Sequence, residues 1–396
     1  MAERDIFVVG TARTAIGAFG GSLKEVPNTQ LATTAVKAAL TRSGVAPDAV
    51  GHVVMGNVIP TETRDAYLSR VAAVEAGISV ETPAFNVNRL CGSGLQAIIS
   101  AAQAIAQGDC DVAIGGGSES MSRSPYFDTA ARHGARMGDA VLLDYMLGIL
   151  HDPFQKIHMG VTAENVAERY GITREQQDML AAESHRRAAA AIAAGRFKEQ
   201  IVPIESKTRK GVVVFDTDEH VKASTTAEML AGMKPAFKKE GGTVTAGNAS
   251  GINDGAGAVV LAEGGRVEAL GLKPLARLVG YAHAGVEPAY MGIGPVPATR
   301  RLLERTGVKV SDLDVIEANE AFAAQACAVA KELGFDPSKV NPNGSGISLG
   351  HPVGATGAII TTKAIAELQR AQGRYALVTM CIGGGQGIAA LFERCF

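Results

Sequence analysis

Residues 87–94, which run Val-Asn-Arg-Leu-Cys-Gly-Ser-Gly, place a cysteine between an extended segment and a helix. Upstream, residues 82–87 alternate apolar and polar side chains, a pattern that predicts a short strand. Downstream, residues 95–106 are rich in Ala, Ile and Gln, which predicts a buried helix. The stretch is therefore expected to form one strand–helix unit with Cys91 at the junction.

Cys91 stands at the start of this predicted helix, where unpaired backbone N–H groups and the positive end of the helix dipole favour a thiolate. Such positions lower a cysteine pKa to roughly 3.5–7.5. The small residues Gly92, Ser93 and Gly94 would let a substrate carbonyl approach closely. The alternative is a buried cysteine that packs as a small hydrophobe, the commoner fate of free cysteines. The motif alone leaves both interpretations open.

Composition limits the classes of protein to consider. The chain has 396 residues, 46% hydrophobic and 20% charged, which predicts a soluble globular protein of two or three domains. Its formal net charge of −2 and the lack of a polybasic tail argue against nucleic acid as a main partner. No apolar run is long enough for a membrane span, so no membrane association is expected.

The first residues of the chain and its cysteines indicate the cellular compartment in which the protein is expected. Residues 1–9 lead directly into a strand-like segment and lack the character of a signal or transit peptide. The five cysteines are an odd number with no C-x-x-C pair. They therefore argue against a disulfide framework and against a zinc site, and a reducing cytoplasm is expected. The cysteines are Cys91, Cys110, Cys327, Cys381 and Cys395.

Strand-like and helix-like segments alternate along the first part of the chain. Strands are predicted at residues 6–10, 52–57 and 111–114, with a loop following the first at residues 11–17. Helices are predicted at residues 29–43 and around 66–76. This alternation predicts an α/β fold with a central, largely parallel sheet.

From about residue 119 the composition changes, with more Met, His and charge and fewer buried-strand runs. We interpret residues 119–249 as an inserted region, with a helix over 173–194 that has a capping box at Thr173 and Gln176 and stops at Gly195. Basic side chains are frequent there. Individually they fit solvated surface, but as a group they could hold the phosphates of a large anionic cofactor. They are Lys207, Arg209, Lys210, Lys222, Lys234, Lys238 and Lys239.

The last part of the chain repeats the first. Residues 93–99 resemble 356–360, and each segment is followed by an Ala-rich helix and then a strand ending in three glycines, at 115–117 and 383–385. Two similar α/β halves are therefore predicted. One comprises residues 1–118 with 250–270 and the other residues 271–396, with 119–249 inserted in the first. Corresponding strand ends would meet at one place, where open α/β sheets bind ligands.

The repeat is expected to bring further reactive groups towards Cys91. A neutral His351 could take the thiol proton, although a capping or core histidine is the alternative. Cys381 is either a second thiol at a ligand-facing edge or a structural cysteine. Asn319 could orient a water or a carbonyl, or could cap a helix. The glycines at 383–385 leave backbone N–H groups free for a developing oxyanion.

Two thiols and a histidine suit one type of reaction. One thiol carries an acyl group as a thioester, and the other moves a proton to or from the carbon beside a second thioester. A dinucleotide site could rest only on residues 385–390, Gly-Gln-Gly-Ile-Ala-Ala. That segment has no βαβ unit after it and no acid about 20 residues further on, so we reject this interpretation.

Four motifs together are highly specific: residues 88–94 (Asn-Arg-Leu-Cys-Gly-Ser-Gly), 319–322 (Asn-Glu-Ala-Phe), 350–352 (Gly-His-Pro) and 381–385 (Cys-Ile-Gly-Gly-Gly). With them the sequence resembles the thiolase family over essentially its whole length, most of all its bacterial biosynthetic members, the acetyl-CoA acetyltransferases or β-ketothiolases. The resemblance implies a five-layered αβαβα thiolase fold with a loop domain at 119–249. It also implies ping-pong acyl transfer between coenzyme A thioesters, which are substrates, with no cofactor and no metal.

The same resemblance implies roles for five residues. Cys91 is the acylated nucleophile, His351 activates it, and Cys381 is the acid and base of a reversible Claisen condensation of acetyl-CoA with an acyl-CoA. One oxyanion site would use His351 with a water held by Asn319. The other would use the N–H groups of Cys91 and Gly383.

In the family, a further set of positions lies against coenzyme A, mostly its pantetheine arm. Here those positions are Leu150, His158, Met159, Lys222, Phe237, Ala249, Ser250, Ala321 and Phe322. Lys222 stands where close relatives often carry Arg. A single ammonium group thus replaces the planar guanidinium with its fork of hydrogen-bond donors. The resemblance also implies a homotetramer, a dimer of dimers, and favours synthesis of products such as polyhydroxyalkanoate.

Two rival hypotheses remain at this point. A decarboxylating ketoacyl synthase would not need a thiol base, so the set Cys91, His351 and Cys381 counts against it. A binding protein that has lost catalysis is opposed by the intact nucleophile and base. Acyl chain length cannot be read from residue types, because one methylene changes discrimination by only about 1–3 kcal/mol.

Overall fold

A computed structural model describes residues 4–208 and 211–395 of the chain. The strands in these ranges are β1 (Ile6–Thr14), β2 (Gly17–Ala18), β3 (His52–Gly56), β4 (Ala84–Val87), β5 (Val112–Ser120), β6 (Tyr126–Asp128), β7 (Leu142–Asp144), β8 (Ile201–Val202), β9 (Ile204–Thr208), β10 (Gly211–Phe215), β11 (Asn253–Glu263), β12 (Ala276–Gly285), β13 (Leu313–Ala318), β14 (Tyr375–Ile382) and β15 (Gln386–Arg394). The α-helices are α1 (Asn28–Ser43), α2 (Leu68–Glu75), α3 (Ser93–Gln107), α4 (Tyr145–Ile149), α5 (Met159–Tyr170), α6 (Arg174–Ala193), α7 (Ala227–Ala231), α8 (Gly264–Ala269), α9 (Pro295–Thr306), α10 (Ala323–Leu333), α11 (Gly346–Leu349) and α12 (Thr356–Ala371).

The main sheet consists of two halves with the same strand order. Outward from the junction, one half runs β1-β11-β5-β3-β4 and the other β12-β15-β14-β13. The halves are joined by two residue pairs between β1 and β12, Phe7 with Arg277 and Val8 with Ala276. A single parallel bridge between Ile316 and Val340 stands where the second half would place its counterpart of β4. The predicted internal repeat is therefore present in the strand order.

The prediction of a largely parallel sheet is wrong, because the sheet is mixed. β3 pairs in parallel with β4 and β5, and β13 pairs in parallel with β14. β11 runs antiparallel to both β1 and β5, and β15 runs antiparallel to both β12 and β14. The short turn at 383–385 sends the chain directly back from β14 into β15, and such a tight connection can join only antiparallel strands.

Helices cover both outer faces of the sheet halves and fill the space between them, giving the five-layered αβαβα arrangement. α1 and α2 pack on the outer face of the first half, and α9 and α10 on that of the second. α3 and α12 lie together in the middle layer, and their apolar side chains share one core with both sheet halves. Their contact is close: a Cβ at Gly357 would lie 2.2 Å from the Leu95 nitrogen.

The glycine runs of the two halves lie at different positions relative to their strands. Residues 115–117 were predicted to end a strand, but they lie inside β5, which continues to Ser120. A Cβ at Gly115 would sit 2.3 Å from the Ile98 Cα, and one at Gly117 would sit 2.2 Å from the Gly354 carbonyl oxygen. Because these glycines have no side chain, α3 and the loop before α12 can pack directly against β5. In the second half, β14 does end at Ile382, as predicted.

Two local predictions had different outcomes. The loop predicted at residues 11–17 is wrong in its first part, because β1 continues to Thr14 through pairing with β11 and, at its end, with β8. The capping box of α6 is confirmed: Thr173 accepts the Gln176 N–H, and the Gln176 side chain accepts the Thr173 N–H. Gly195 follows the helix with φ +69°, which suits glycine.

The predicted domain division remains a prediction, although residues 121–252 do fall between β5 and β11. Arg209 and Lys210 of the predicted basic group lie outside the described residues, and Lys207 has no described side chain. Among the described helices, none is long and apolar enough to cross a membrane.

Candidate active site

A cavity of about 650 Å³ opens where the two halves meet residues of the 119–249 segment. Cys91 enters it from the loop before α3, His351 from the loop before α12, and Gly383 from the turn after β14. Its size and mainly apolar lining are typical of a small-molecule site with a few placed polar groups. The cavity thus lies at the ends of equivalent elements, as the repeat predicted.

Twelve of the fourteen residues predicted for the site line this cavity. They are Cys91, Leu150, His158, Met159, Lys222, Phe237, Ala249, Ser250, Ala321, Phe322, His351 and Gly383. The other two, Asn319 and Cys381, are buried and do not line the cavity. Each of these two lies close to a lining residue, Asn319 to His351 and Cys381 to Cys91.

A tight turn holds Cys91 before α3. Leu90 has φ +46°, a left-handed conformation that is uncommon for leucine and is found at functional sites. The Ser93 hydroxyl donates to the Leu90 carbonyl at 2.6 Å and accepts the Arg89 N–H at 2.8 Å. α3 begins only at Ser93, so Cys91 lies two residues outside the helix.

The expectation of a lowered Cys91 pKa is wrong. Burial among apolar groups raises the pKa of this thiol to about 11 and outweighs the hydrogen bonds that the sulfur accepts from the N–H groups of Gly383 and Cys91. Glu119 raises it slightly further. A thiol with this pKa stays protonated at neutral pH, so its attack on a carbonyl requires a base. The two N–H groups are those predicted to form an oxyanion site.

His351 is buried, with an anchored backbone and an anchored ring. Its N–H donates to the Asn253 Oδ1 at 3.0 Å, its Nδ1 lies 2.6 Å from the Thr356 Oγ1, and its Nε2 lies 3.4 Å from the Asn319 Nδ2. Burial lowers the pKa of His351 to about 4. The imidazole is therefore neutral at pH 7 and able to accept a proton.

Asn319 follows β13 directly, and both sides of its peptide are fixed. Its N–H donates to the Thr379 carbonyl at 3.0 Å, and the neighbouring Ala318 exchanges hydrogen bonds of 3.0 and 2.8 Å with the Asn341 side chain. The Asn319 Oδ1 is buried and has no hydrogen-bond partner among the described residues. A buried acceptor in this state is a position for a water or a ligand group.

Cys381 lies near the end of β14, where it pairs with Gly387 of β15, and its side chain is fully buried. Burial raises the pKa of this thiol strongly, and the neighbouring Cys91 sulfur raises it further. At rest it is a protonated thiol, and its thiolate would be a strong base. The two sulfurs thus lie close enough to interact.

Glu119, the second-last residue of β5, was given no role by the sequence analysis. Its carboxylate accepts the Asn57 Nδ2 at 2.8 Å, the Ile59 N–H at 3.0 Å and the Gly354 N–H at 2.8 Å. It therefore ties the loop after β3 to the loop that carries His351. Burial raises the pKa of Glu119 to about 8. The sequence feature that could have drawn attention to Glu119 is its partner Asn57, which follows β3 as Asn319 follows β13.

Aromatic contacts build the wall contributed by the 119–249 segment. The His158 ring stacks on Phe237 with 4.6 Å between centroids, and Phe237 meets the edge of Phe322 at 6.2 Å. The Met159 N–H donates to the Leu150 carbonyl at 2.8 Å, which sets these two lining residues side by side. The segment thereby contacts the second half through aromatic side chains.

Backbone pairing holds the remaining lining residues. Ala249 and Phe322 form an antiparallel bridge, and the Ser250 N–H donates to the Ala321 carbonyl at 2.9 Å. The Lys222 N–H donates to the His185 Nδ1 at 3.2 Å, which fixes the backbone of the cavity's lysine.

Comparisons with known proteins agree with this architecture. The family profile "Thiolase, N-terminal domain" matches residues 6–265, and "Thiolase, C-terminal domain" matches residues 272–394. The chain is 69% identical to the "Beta-ketothiolase BktB" of Cupriavidus necator over 391 residues, 99% of each chain. It is 51% identical to an "Acetyl-CoA acetyltransferase" of Chromobacterium violaceum, over 98% of this chain and 100% of the relative.

Solved structures give the same result. Human mitochondrial 3-ketoacyl-CoA thiolase superposes with a TM-score of 0.97 at 46% identity, over 99% of each chain. The acetyl-CoA acetyltransferase of Bacillus anthracis superposes with a TM-score of 0.97 at 47% identity, over 100% of each chain. Both profiles, the near-full-length identity and the fold all lead to one assignment: the chain belongs to the thiolase family.

Proposed function

We propose that this protein is a β-ketothiolase. It condenses acetyl-CoA with acetyl-CoA or another acyl-CoA to give a 3-ketoacyl-CoA and free coenzyme A, and it runs this reaction in both directions. The observation that carries the proposal is a protonated thiol and a neutral imidazole in one apolar cavity, Cys91 and His351, with a second protonated thiol, Cys381, buried behind Cys91 and interacting with it. Membership of the thiolase family and 69% identity to a relative named a β-ketothiolase support it.

In the first half-reaction Cys91 takes the acyl group. The His351 Nε2 removes the thiol proton as the Cys91 sulfur attacks the thioester carbonyl. The N–H groups of Gly383 and Cys91 hydrogen-bond this sulfur, and we expect them to stabilise the oxyanion that develops beside it. Coenzyme A departs as a thiol with the proton of Cys381, leaving an acyl-enzyme, an imidazolium and a Cys381 thiolate.

In the second half-reaction a carbon–carbon bond forms. The Cys381 thiolate removes a proton from the methyl group of the second acetyl-CoA, and the resulting enolate attacks the acyl carbon on Cys91. The Cys91 sulfur leaves and regains its proton from His351, so all groups return to their starting states. A water bound by the unpartnered Asn319 Oδ1 would donate to the enolate oxygen beside His351.

We assign the rest of the cavity to coenzyme A. The stacked His158 and Phe237, the edge of Phe322 and the bridged backbone at 249–250 and 321–322 form a mainly apolar wall that suits an uncharged pantetheine arm. Lys222 is a cationic group of the same cavity and would face the phosphates. The proposal requires no metal and no further cofactor.

We also propose that the chain assembles as a homotetramer, a dimer of dimers, in the cytoplasm. The β6–β7 hairpin exposes apolar side chains, with Tyr126 62% and Leu142 64% exposed, and β4 is a sheet edge that exposes Phe85. Such surfaces are typical of contacts between subunits. The five cysteines are free thiols, which suits a reducing compartment. Light scattering of Leu142→Glu should give a smaller assembly than the parent; an unchanged mass would overturn the hairpin's role.

Steady-state turnover tests the function. Purified protein supplied with acetyl-CoA should form acetoacetyl-CoA and free coenzyme A, and acetoacetyl-CoA with coenzyme A should be cleaved back. Malonyl-CoA should release no carbon dioxide. Release of carbon dioxide with condensation would instead indicate a decarboxylating synthase, and no turnover in either direction would indicate a thioester-binding protein.

A further inference from the structure

We propose that Thr356 sets the tautomer of His351, keeping the proton on Nδ1 and the lone pair on Nε2. Thr356 is then a positioning residue that acts through the imidazole. The inference rests on the proposed function, because it concerns the base that activates Cys91.

The contact between the two side chains is short and shielded from water. Thr356 is the first residue of α12, which brings its hydroxyl back to the ring of His351 five residues earlier. The Oγ1 lies 2.6 Å from the Nδ1. Thr356 is 2% exposed and His351 5% exposed. A neutral imidazole has one donor and one acceptor, so a partner fixed on one nitrogen decides the state of the other.

The surrounding groups determine which atom donates. The Thr356 Oγ1 lies 2.9 Å from the Pro352 carbonyl, which can only accept, so the hydroxyl proton has a partner there. That carbonyl also accepts the N–H groups of Ala355 and Thr356. The hydroxyl oxygen is then left to accept from the Nδ1 of His351.

The opposite edge of the ring leads to the same assignment. The Nε2 of His351 lies 3.4 Å from the Asn319 Nδ2, an amide nitrogen that can only donate. Asn319 thus faces a lone pair on Nε2, and Thr356 faces a proton on Nδ1. Only Nε2 is left to act as a base, and it lies on the side of the ring where Asn319 would bind a water.

Thr356→Val, which keeps the shape of threonine and removes the hydroxyl, tests the inference, with Thr356→Ser as the conservative variant. Thr361→Val is the matched control, because the Thr361 hydroxyl is also buried in α12 but donates to the Gly357 carbonyl. The first readout is the rate of Cys91 acetylation by acetyl-CoA in a single turnover. The second is the ¹⁵N NMR spectrum of histidine-labelled protein, with His351 assigned by its loss in His351→Asn.

We expect Thr356→Val to slow acetylation by about 10- to 100-fold, the effect of leaving a buried N–H unpartnered beside a general base. Its His351 signals should shift from the Nδ1-protonated pattern towards a mixture of tautomers, while Thr356→Ser and Thr361→Val match the parent. An unchanged His351 spectrum in Thr356→Val, or a serine variant as slow as the valine variant, would overturn the inference.

Two results separate this inference from the proposed function. If His351→Asn acetylates as fast as the parent, the role of His351 as a base is wrong. If His351→Asn is slow but the parent spectrum shows the proton on Nε2, only the tautomer assignment is wrong. The parent spectrum decides this even when Thr356→Val does not fold.

Discussion

The starts of α3 and α12 occupy equivalent places in the two halves, and each begins with a hydroxyl residue followed by glycine. In the first half the Ser93 hydroxyl bonds to backbone atoms of Arg89 and Leu90 and so braces the turn that presents Cys91. In the second half the Thr356 hydroxyl bonds to the ring of His351. The hydroxyl therefore bonds to backbone atoms in the first copy, whereas in the second copy it bonds to the Pro352 carbonyl and also to a side chain.

The ends of β3 and β13 show a second difference. Asn57, after β3, donates its side-chain amide to Glu119 and to the carbonyls of Ile59 and Ser118. Asn319, after β13, keeps a buried oxygen with no partner among the described residues. The first copy therefore binds its asparagine to Glu119, which in turn accepts the Gly354 N–H of the second half, whereas the second copy leaves the amide oxygen of its asparagine without a partner among the described residues.

Cys381→Ala should have the largest effect on the carbon–carbon step. Without this thiol no base removes the methyl proton, so condensation should fall about 10²- to 10⁴-fold. Exchange of labelled coenzyme A into acetyl-CoA removes no proton from carbon and uses Cys381 only to protonate the departing thiolate, so exchange should partly survive. Equal loss of condensation and exchange would contradict the division of labour between the two thiols.

His351→Asn should make acetylation of Cys91 strongly dependent on pH. The pKa of Cys91, raised to about 11, lies four units above pH 7, so roughly one thiol in 10⁴ is ionised there. Without its base, the variant's rate should rise about tenfold per pH unit between about pH 7 and 10 as the thiolate fraction grows.

The parent should stay nearly flat over the same range, because His351, with a pKa of about 4, remains neutral throughout. Single-turnover acetylation followed by quenched-flow mass spectrometry measures both profiles. A flat profile in the variant would show that Cys91 does not depend on this histidine.

Asn319→Ala and Asn57→Ala form a matched pair that tests the difference between the halves. Asn319→Ala should slow turnover about 10- to 100-fold with little change in melting temperature, because it removes a water or enolate ligand. Asn57→Ala should destabilise the fold by about 1–3 kcal/mol, because Glu119 loses a buried partner, while the rate of the folded enzyme is nearly unchanged. Thermal unfolding and kcat should be measured on both variants. A loss of stability without loss of rate in Asn319→Ala, or a loss of rate without loss of stability in Asn57→Ala, would contradict the comparison.

The fold and most of the site were predictable because their signals are local in sequence. The capping box of α6 and each of the four short motifs lie within a few residues of chain, and the repeat is recognised by comparing two such short stretches. Twelve of the fourteen predicted site residues line one cavity. The roles of these residues remain predictions until they are measured.

The failures have one physical source, which is contact between segments far apart in sequence. Residues 115–117 lie inside β5 because they pair with β11 and β3, and α3 and the His351 loop pack closely on them; nothing in the glycine run itself shows these contacts. The pKa of Cys91 was predicted to fall on the basis of its place before a helix, yet burial among side chains from several segments raises it. Glu119 likewise gains its importance from a partner far along the chain, the Gly354 N–H. Thr356 is the exception, because its partner His351 lies only five residues away and the contact depends on the turn into α12.

Intact-protein mass spectrometry after brief mixing with acetyl-CoA, repeated on Cys91→Ser, tests the central claim most directly. The parent should gain one acetyl group and the variant none, because Cys91 alone carries the acyl intermediate while Cys381 stays a proton carrier. An acetyl group on the variant, or none on the parent, would contradict this account of the two thiols.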